Sequence, residues 1–214
     1  MARWIKISHV DCLCVILSSM RTTVGLPSTF TTHEATERGV HPRDLYRWRD
    51  EGDIIELSRG VFRRADAPAA SRPDELAVAR RAPHAIVCCL SAAAVHDLTD
   101  EIPRTVQIAV ALGSTPPRIG HPPVQVFRFR PATFELGLTG FEAAPGESIR
   151  IYDPARTVVD LVRLRHRLGE PLAYAALNRY LRRPDGKRRP LLTYAAKLGA
   201  ERAVRAALDV IVSS

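Results

Sequence analysis

Between Thr31 and Arg64 the apolar residues fall first at helical spacings and then in short runs, with a punctuating residue at each change. Thr31 followed by Glu34 fits a capping box, in which hydroxyl and carboxylate satisfy the free amides of a helix start. A short helix through Arg38 follows. Gly39 suits the left-handed residue after it, Val40 can pack, and His41-Pro42 opens a second helix with proline at its first position. That helix runs from Pro42 to about Glu51 and stops at Gly52, with Leu45 and Trp48 on its inner face. Ile54 to Leu57 and Val61 to Arg64 then read as two short strands around a Ser58-Arg59-Gly60 turn. Helix, turn, helix and hairpin in this order predict a winged helix-turn-helix.

After Arg64 the pattern breaks at 65–73, where small residues and two prolines mark a linker. This divides the chain into a winged helix-turn-helix domain over 1–66 and a second domain over 73–214. In the second domain, Ile86 to Leu90, Val106 to Leu112 and Val124 to Phe129 read as strands. Pro154 to Leu168, Leu172 to Leu181, Pro190 to Lys197 and Glu201 to Val212 read as helices. The expected class is α+β, with a mixed second domain that ends in helices.

The first residues follow a different pattern. Val10, Leu13, Ile16, Leu17 and Met20 lie on one side of an amphipathic helix. Asp11 interrupts the apolar run, and no small-x-small site follows it as a signal peptide requires. Met20 is an alternative translation start. No stretch reaches the 18 or so apolar residues of a membrane span, so the expected location is the cytoplasm and no membrane is expected as a partner.

Charge changes this picture only when it is divided along the chain. The 214 residues carry 31 Lys+Arg against 23 Asp+Glu, a formal net charge of +8. Residues 1–72 hold +2, residues 73–149 hold −2 and residues 150–214 hold +8, so the whole excess lies in the last third. Positive potential attracts polyanions at long range. Only three of the basic residues are lysine, a skew that matches a GC-rich genome more than a binding mode. Cys12-x-Cys14 and Cys88-Cys89 lack zinc-ligand spacing, so reduced thiols and no metal or other cofactor are expected.

On the second helix, Arg43, Tyr46 and Arg47 face away from Leu45 and Trp48, and a helix so decorated suits the major groove. His41 at its start, Arg59 at the hairpin tip and Arg63 on the strand complete the expected DNA-contacting set. Asp44, Asp50, Glu51 and Asp53 intermix with these arginines, so a solvated ion-paired face is the competing reading.

The line from Phe30 to Arg64 resembles the N-terminal winged helix-turn-helix of AbiEi-type antitoxins. Ala35, the Gly39-Val40 turn, Leu45, Gly52 and Arg59-Gly60-Val61-Phe62 carry the resemblance. Cys89 to Leu98 and Asp153 to Leu161 resemble segments of the C-terminal antitoxin domain, and Met1 to Ser19 has no counterpart. The resemblance implies a type IV antitoxin encoded beside a nucleotidyltransferase-like toxin. Such a protein represses its own operon through the first domain and neutralises the toxin through the second. An operator built as an inverted repeat would take two copies.

Three features of the second domain carry other chemistry. The basic stretch of Arg179, Arg182, Arg183, Lys187, Arg188 and Arg189 surrounds a Pro-Asp-Gly turn and suits contact with toxin or DNA. Asp185-x-Lys187 matches the end of a metal-dependent nuclease signature, but without preceding carboxylates at strand spacing. Ser91 and His96 lack a third, orienting carboxylate, and Ser91 suits an N-cap. Asp153 is the expected N-cap of the helix after it, while Arg156 and Asp160 are spaced for an intrahelical ion pair. Read together, Asp153, Arg156 and Asp160 form a polar constellation at a cleft mouth. Ordinary kinase motifs are absent. An atypical kinase that modifies the toxin at that cleft is the alternative to an antitoxin that is not an enzyme.

Overall fold

The computed structural model describes residues 25–212. The helix expected over Val10 to Met20, the alternative start at Met20 and the Cys12/Cys14 pair lie outside the described residues. The chain divides into two compact units between Pro68 and Ala69.

In the first unit, β1 (Thr29–Thr31) leads directly into α1 (Thr32–Glu37), which is followed by α2 (Pro42–Glu51), β2 (Ile54–Ser58) and β3 (Val61–Arg64). The capping box forms as expected. Thr31 Oγ1 accepts from Glu34 N at 3.2 Å, and Glu34 Oε2 accepts from Thr31 N at 2.6 Å. At the other end, Gly39 N and Val40 N donate to Thr36 O and Ala35 O, with Gly39 at φ +82°. This closure reuses two carbonyls that the helix leaves free.

The strands are antiparallel in the order β1-β3-β2, so β3 is central. Strand β1 was not expected, because three residues that end in a helix cap show no alternation. Its Phe30 pairs with Phe62 and stacks on it, with ring centroids 6.0 Å apart. These two rings, Leu26, Ala35, Leu45, Trp48 and Ile54 form the core of the unit.

The second unit is a five-stranded sheet with helices on both faces. Its elements are α3 (Pro73–Arg81), β4 (Ile86–Val87), α4 (Cys89–Val95), β5 (Val106–Ala111), β6 (Val124–Phe129), β7 (Leu138–Ala144) and β8 (Glu147–Tyr152). Then follow α5 (Pro154–Arg163), α6 (Arg165–Leu168), α7 (Glu170–Arg182), α8 (Arg188–Lys197) and α9 (Glu201–Val212). The sheet order is β6-β5-β4-β8-β7, with β5 and β6 parallel, β4 and β8 parallel, and the other pairs antiparallel. On β5, Val106, Ile108 and Val110 face Val78 of α3. Ala109 faces the opposite layer, with Phe127, Phe129, Tyr152 and the buried faces of α5, α7, α8 and α9. This alternation places one layer of helix on each side of the sheet.

Several sequence-based boundaries are corrected here. The strand expected over Ile86 to Leu90 stops at Val87, because Cys89 turns to φ +50° and begins α4. The helix expected over Pro154 to Leu168 breaks at Leu164. The β7–β8 hairpin and α3 were not expected.

Candidate nucleic-acid interface

Charged side chains project from α2 and from the β2–β3 hairpin, and an ion pair joins the two elements. Helix α2 begins at His41, whose Nδ1 accepts from Arg43 N at 3.1 Å, and ends at Gly52 with φ +85°. Leu45 and Trp48 are buried, while Arg43, Tyr46 and Arg47 are exposed on the other faces. From the last turn, Arg49 Nη1 reaches Glu56 Oε2 on β2 at 2.9 Å, and its guanidinium lies 5.1 Å from the Tyr46 ring centroid. Tyr46 in turn meets Phe62 of β3 edge-on at 6.4 Å. The helix is thus braced against the hairpin by charge and by ring packing. The sequence does not reveal this brace, because Arg49 and Glu56 lie on different elements. Ile55, just over half exposed on the hairpin, was also missed. Its signal was two adjacent isoleucines in one strand, of which only one can face inward.

The expected DNA-contacting residues differ in availability. Arg43 on α2 and Arg59 at the hairpin tip are exposed and make no ion pair among the described residues. Arg47 is held by Asp44 at 3.0 Å and more loosely by Glu51 at 3.9 Å. Arg63 must be corrected. It is buried, donating to Thr29 Oγ1 at 2.5 Å and to the Pro68 carbonyl. On the sheet Arg63 lies between Thr29 and Ile55, and its guanidinium folds back onto Thr29 and the Pro68 carbonyl, so it braces the sheet and does not reach outward.

In the second unit, the basic stretch is partly self-neutralised. Arg179 grips the carboxylate of Asp100 with both Nη atoms, and Arg183 bonds Asp185 at 2.9 Å while donating to His96 O at 2.7 Å. Arg182, Lys187, Arg188 and Arg189 remain exposed without ion pairs among the described residues. The turn between α7 and α8 is anchored by Tyr180, whose hydroxyl donates to Lys187 O at 3.0 Å. Gly186 passes so close to the Tyr180 carbonyl that a Cβ would lie 1.8 Å from its oxygen.

The polar constellation is brought together, but in the interior. Asp153 caps α5, its Oδ1 accepting from Arg156 N at 2.7 Å and its Oδ2 from the Tyr194 hydroxyl at 2.6 Å. Burial, reinforced by that hydrogen bond, pushes the Tyr194 hydroxyl up to about 12. Arg156 and Asp160 have no exposed side-chain surface at all. The expected cleft mouth is therefore a closed polar centre, because α5 turns this face toward the sheet. Burial pushes the Asp160 carboxyl upward, and the Arg156 and Arg163 guanidiniums draw it back.

Ser91 is not the expected N-cap. It lies in the first turn of α4, where its Oγ accepts from Gln107 N at 2.9 Å and donates to Thr105 O at 3.3 Å. His96 Nε2 faces Tyr152 O at 2.7 Å, so serine and imidazole are both engaged elsewhere. Cys88 and Cys89 are free and buried, and burial pushes the Cys88 thiol up. Among the described residues, no group of three or more His, Cys, Asp or Glu is placed to hold a metal, and no helix is long and apolar enough to cross a membrane.

Comparison with known proteins adds three findings. No curated protein matches the chain. Among solved structures, the crystal structure of RV2827C protein from Mycobacterium tuberculosis is similar in fold, with a TM-score of 0.62 at 16% sequence identity. The match covers 96% of this chain and 78% of that one. Residues 26–65, which contain α1, α2 and the hairpin, match the family model described as transcriptional regulator, AbiEi antitoxin.

Proposed function

We propose that the chain is a DNA-binding autorepressor and antitoxin. In this reading the first unit is a winged helix-turn-helix, with α2 as the helix that enters the major groove and the β2–β3 hairpin as its wing. The observation that carries it is the family match over residues 26–65. The disposition of side chains supports it. Leu45 and Trp48 hold α2 to the core, Arg43, Tyr46 and Arg47 project from it, and Arg59 sits at the hairpin tip. Arginine forks reach guanine edges or phosphates from such positions. The second unit, with its exposed Arg182, Lys187, Arg188 and Arg189, neutralises a cognate nucleotidyltransferase toxin by direct contact.

A gel shift on the DNA upstream of the gene tests the first half. Arg43→Ala combined with Arg47→Ala should weaken binding by about tenfold or more, as loss of two charged DNA contacts would. Unchanged affinity would remove α2 from the interface. Co-expression with the neighbouring open reading frame tests the second half, with rescue of growth as the expected result.

A further inference from the structure

A cleft in the second unit, away from the basic stretch at 182–189, has the composition of an anion site. It opens where the parallel strands β5 and β6 end, with Leu112 and Phe129 joined by a backbone hydrogen bond of 2.7 Å. Its volume is about 800 Å³. Its lining includes Arg128 on β6, Arg130 just after it, Arg163 on α5 and Lys197 at the end of α8, and no carboxylate. These four cations come from three separate elements, so the fold and not local sequence has gathered them.

One wall is fixed in advance. The Arg163 guanidinium lies 4.8 Å from the Phe129 ring centroid, and its Nη2 is held by Asp160 Oδ1 at 2.8 Å. Its Nε is buried and has no hydrogen-bond partner among the described residues. The side chain as a whole is 28% exposed, and this exposed part is what an anion entering the cleft would meet. Leu112, Ala132 and Leu198 supply an apolar wall beside the charges. Cavities of this volume accommodate nucleotide-sized molecules, and guanidinium forks match phosphate oxygens in pairs.

We propose that this cleft binds the phosphate groups of a nucleotide, either free or at the end of a nucleic-acid strand. Charge chemistry selects phosphate over a neutral ligand, because Arg128, Arg130 and Lys197, which have no ion pair among the described residues, line one concavity with Arg163. The combination of that charge with an apolar wall selects a nucleotide over inorganic phosphate alone. The inference does not depend on the first unit's reading of DNA.

Isothermal titration of the full chain at about 150 mM salt, where long-range attraction is screened, provides the test. The probes are ADP, inorganic pyrophosphate, a 5′-phosphorylated tetranucleotide and the same tetranucleotide without its phosphate. Saturable one-to-one binding of ADP or of the phosphorylated strand is expected, and the tighter of the two identifies the source. Arg128→Gln with Arg130→Gln should weaken that binding about tenfold or more. Both side chains are exposed, and circular dichroism checks the fold. Lys197→Gln provides a second, independent loss. Arg188→Gln with Arg189→Gln should leave affinity unchanged within about twofold. The proposal is overturned by absence of saturable binding for every probe, or by equal weakening in both double variants. It is equally overturned if an acidic peptide displaces ADP and binds more tightly, since the occupant would then be a protein segment.

Discussion

Arg156 and Asp160, one turn apart on α5, are joined by an Nε to Oδ2 hydrogen bond of 2.9 Å with neither side chain exposed to solvent. Arg156 also donates through Nη1 to Thr133 O at 3.0 Å and Leu136 O at 2.6 Å, and its guanidinium lies 4.3 Å from the Tyr152 ring centroid. The pair thus ties α5 to the segment before β7. Removing one partner leaves an uncompensated buried charge, which typically destabilises by about 3–5 kcal/mol. Asp160→Asn should therefore lower unfolding free energy by about that amount in urea titrations. Arg163→Gln removes a partly exposed donor to the same carboxylate and should lower it by about 1–2 kcal/mol. Equal effects would mean that Arg156 is stabilised chiefly by its rings and carbonyls.

Two glycines with nearly the same backbone angle separate strain from crowding. Gly137 has φ +76° and Gly146 has φ +74°. A Cβ on Gly137 would lie 2.7 Å from Arg156 Cβ, whereas one on Gly146 would meet nothing within 4 Å. Gly146→Ala should cost about 1–2 kcal/mol, the left-handed penalty alone. Gly137→Ala adds a clash with a side chain that cannot retreat, and should cost about 3 kcal/mol or more. Paired thermal melts of the two variants measure the difference, and similar melting temperatures would refute it.

The contrast between the two units also explains what could be read from sequence. In the first unit the contacts that begin and end each helix are within a few residues. Thr31 caps with Glu34, His41 with Arg43, and Gly39 and Gly52 end their helices, so composition at fixed offsets announces both helices, while β1 and the Arg49–Glu56 brace depend on distant partners. The second unit depends on long-range relations. Gly137 is required by Arg156, and Cys89 begins a helix in the middle of an apolar run. The β7–β8 hairpin carries a Pro145-Gly146 turn and an alternating Ser148 to Ile151, but Leu138 to Ala144 does not alternate, so no paired strand announces itself. Arg63 was misplaced for the same reason, because it is held inward by Thr29 of the unseen β1 and by the Pro68 carbonyl. The cation-lined cleft draws on three distant segments, and no local motif points to it.

The proposed DNA contact separates arginines placed to touch phosphate from those that brace the fold. Arg59→Ala should weaken operator binding and flatten the salt dependence by about one unit, as expected for one lost phosphate contact. Arg63→Ala should instead lower the melting temperature, since it removes the bonds to Thr29 and the Pro68 carbonyl. Operator affinity should stay near wild type well below the melting temperature. Filter binding across a salt series, with melts of the same samples, checks both. An unchanged slope in Arg59→Ala would place the hairpin tip off the DNA.

His96 makes the stability of the second unit depend on pH. Burial lowers its pKa below the ordinary imidazole range, and the neighbouring Arg183 adds to this, while the hydrogen bond to the Tyr152 carbonyl and the carboxylates of Asp153 and Asp97 oppose it. The folded chain therefore takes up this proton at lower pH than the unfolded chain, whose imidazole titrates near about 6.5. Stability from this group is complete above that value and is lost as pH falls toward the folded pKa, by at most about 1.4 kcal/mol per pH unit. Glu75 acts with opposite sign. Burial raises its carboxyl, so its contribution is present at low pH and fades as pH rises through the raised value. His96→Gln retains a donor for the Tyr152 carbonyl but cannot titrate, and Glu75 is common to both proteins. The difference in urea-unfolding free energy between wild type and variant, compared at about pH 7.5 and pH 5.5 on either side of the free imidazole value, should shrink on acidification because only wild type loses stability through His96. A difference independent of pH would show that His96 titrates alike in the folded and unfolded chain.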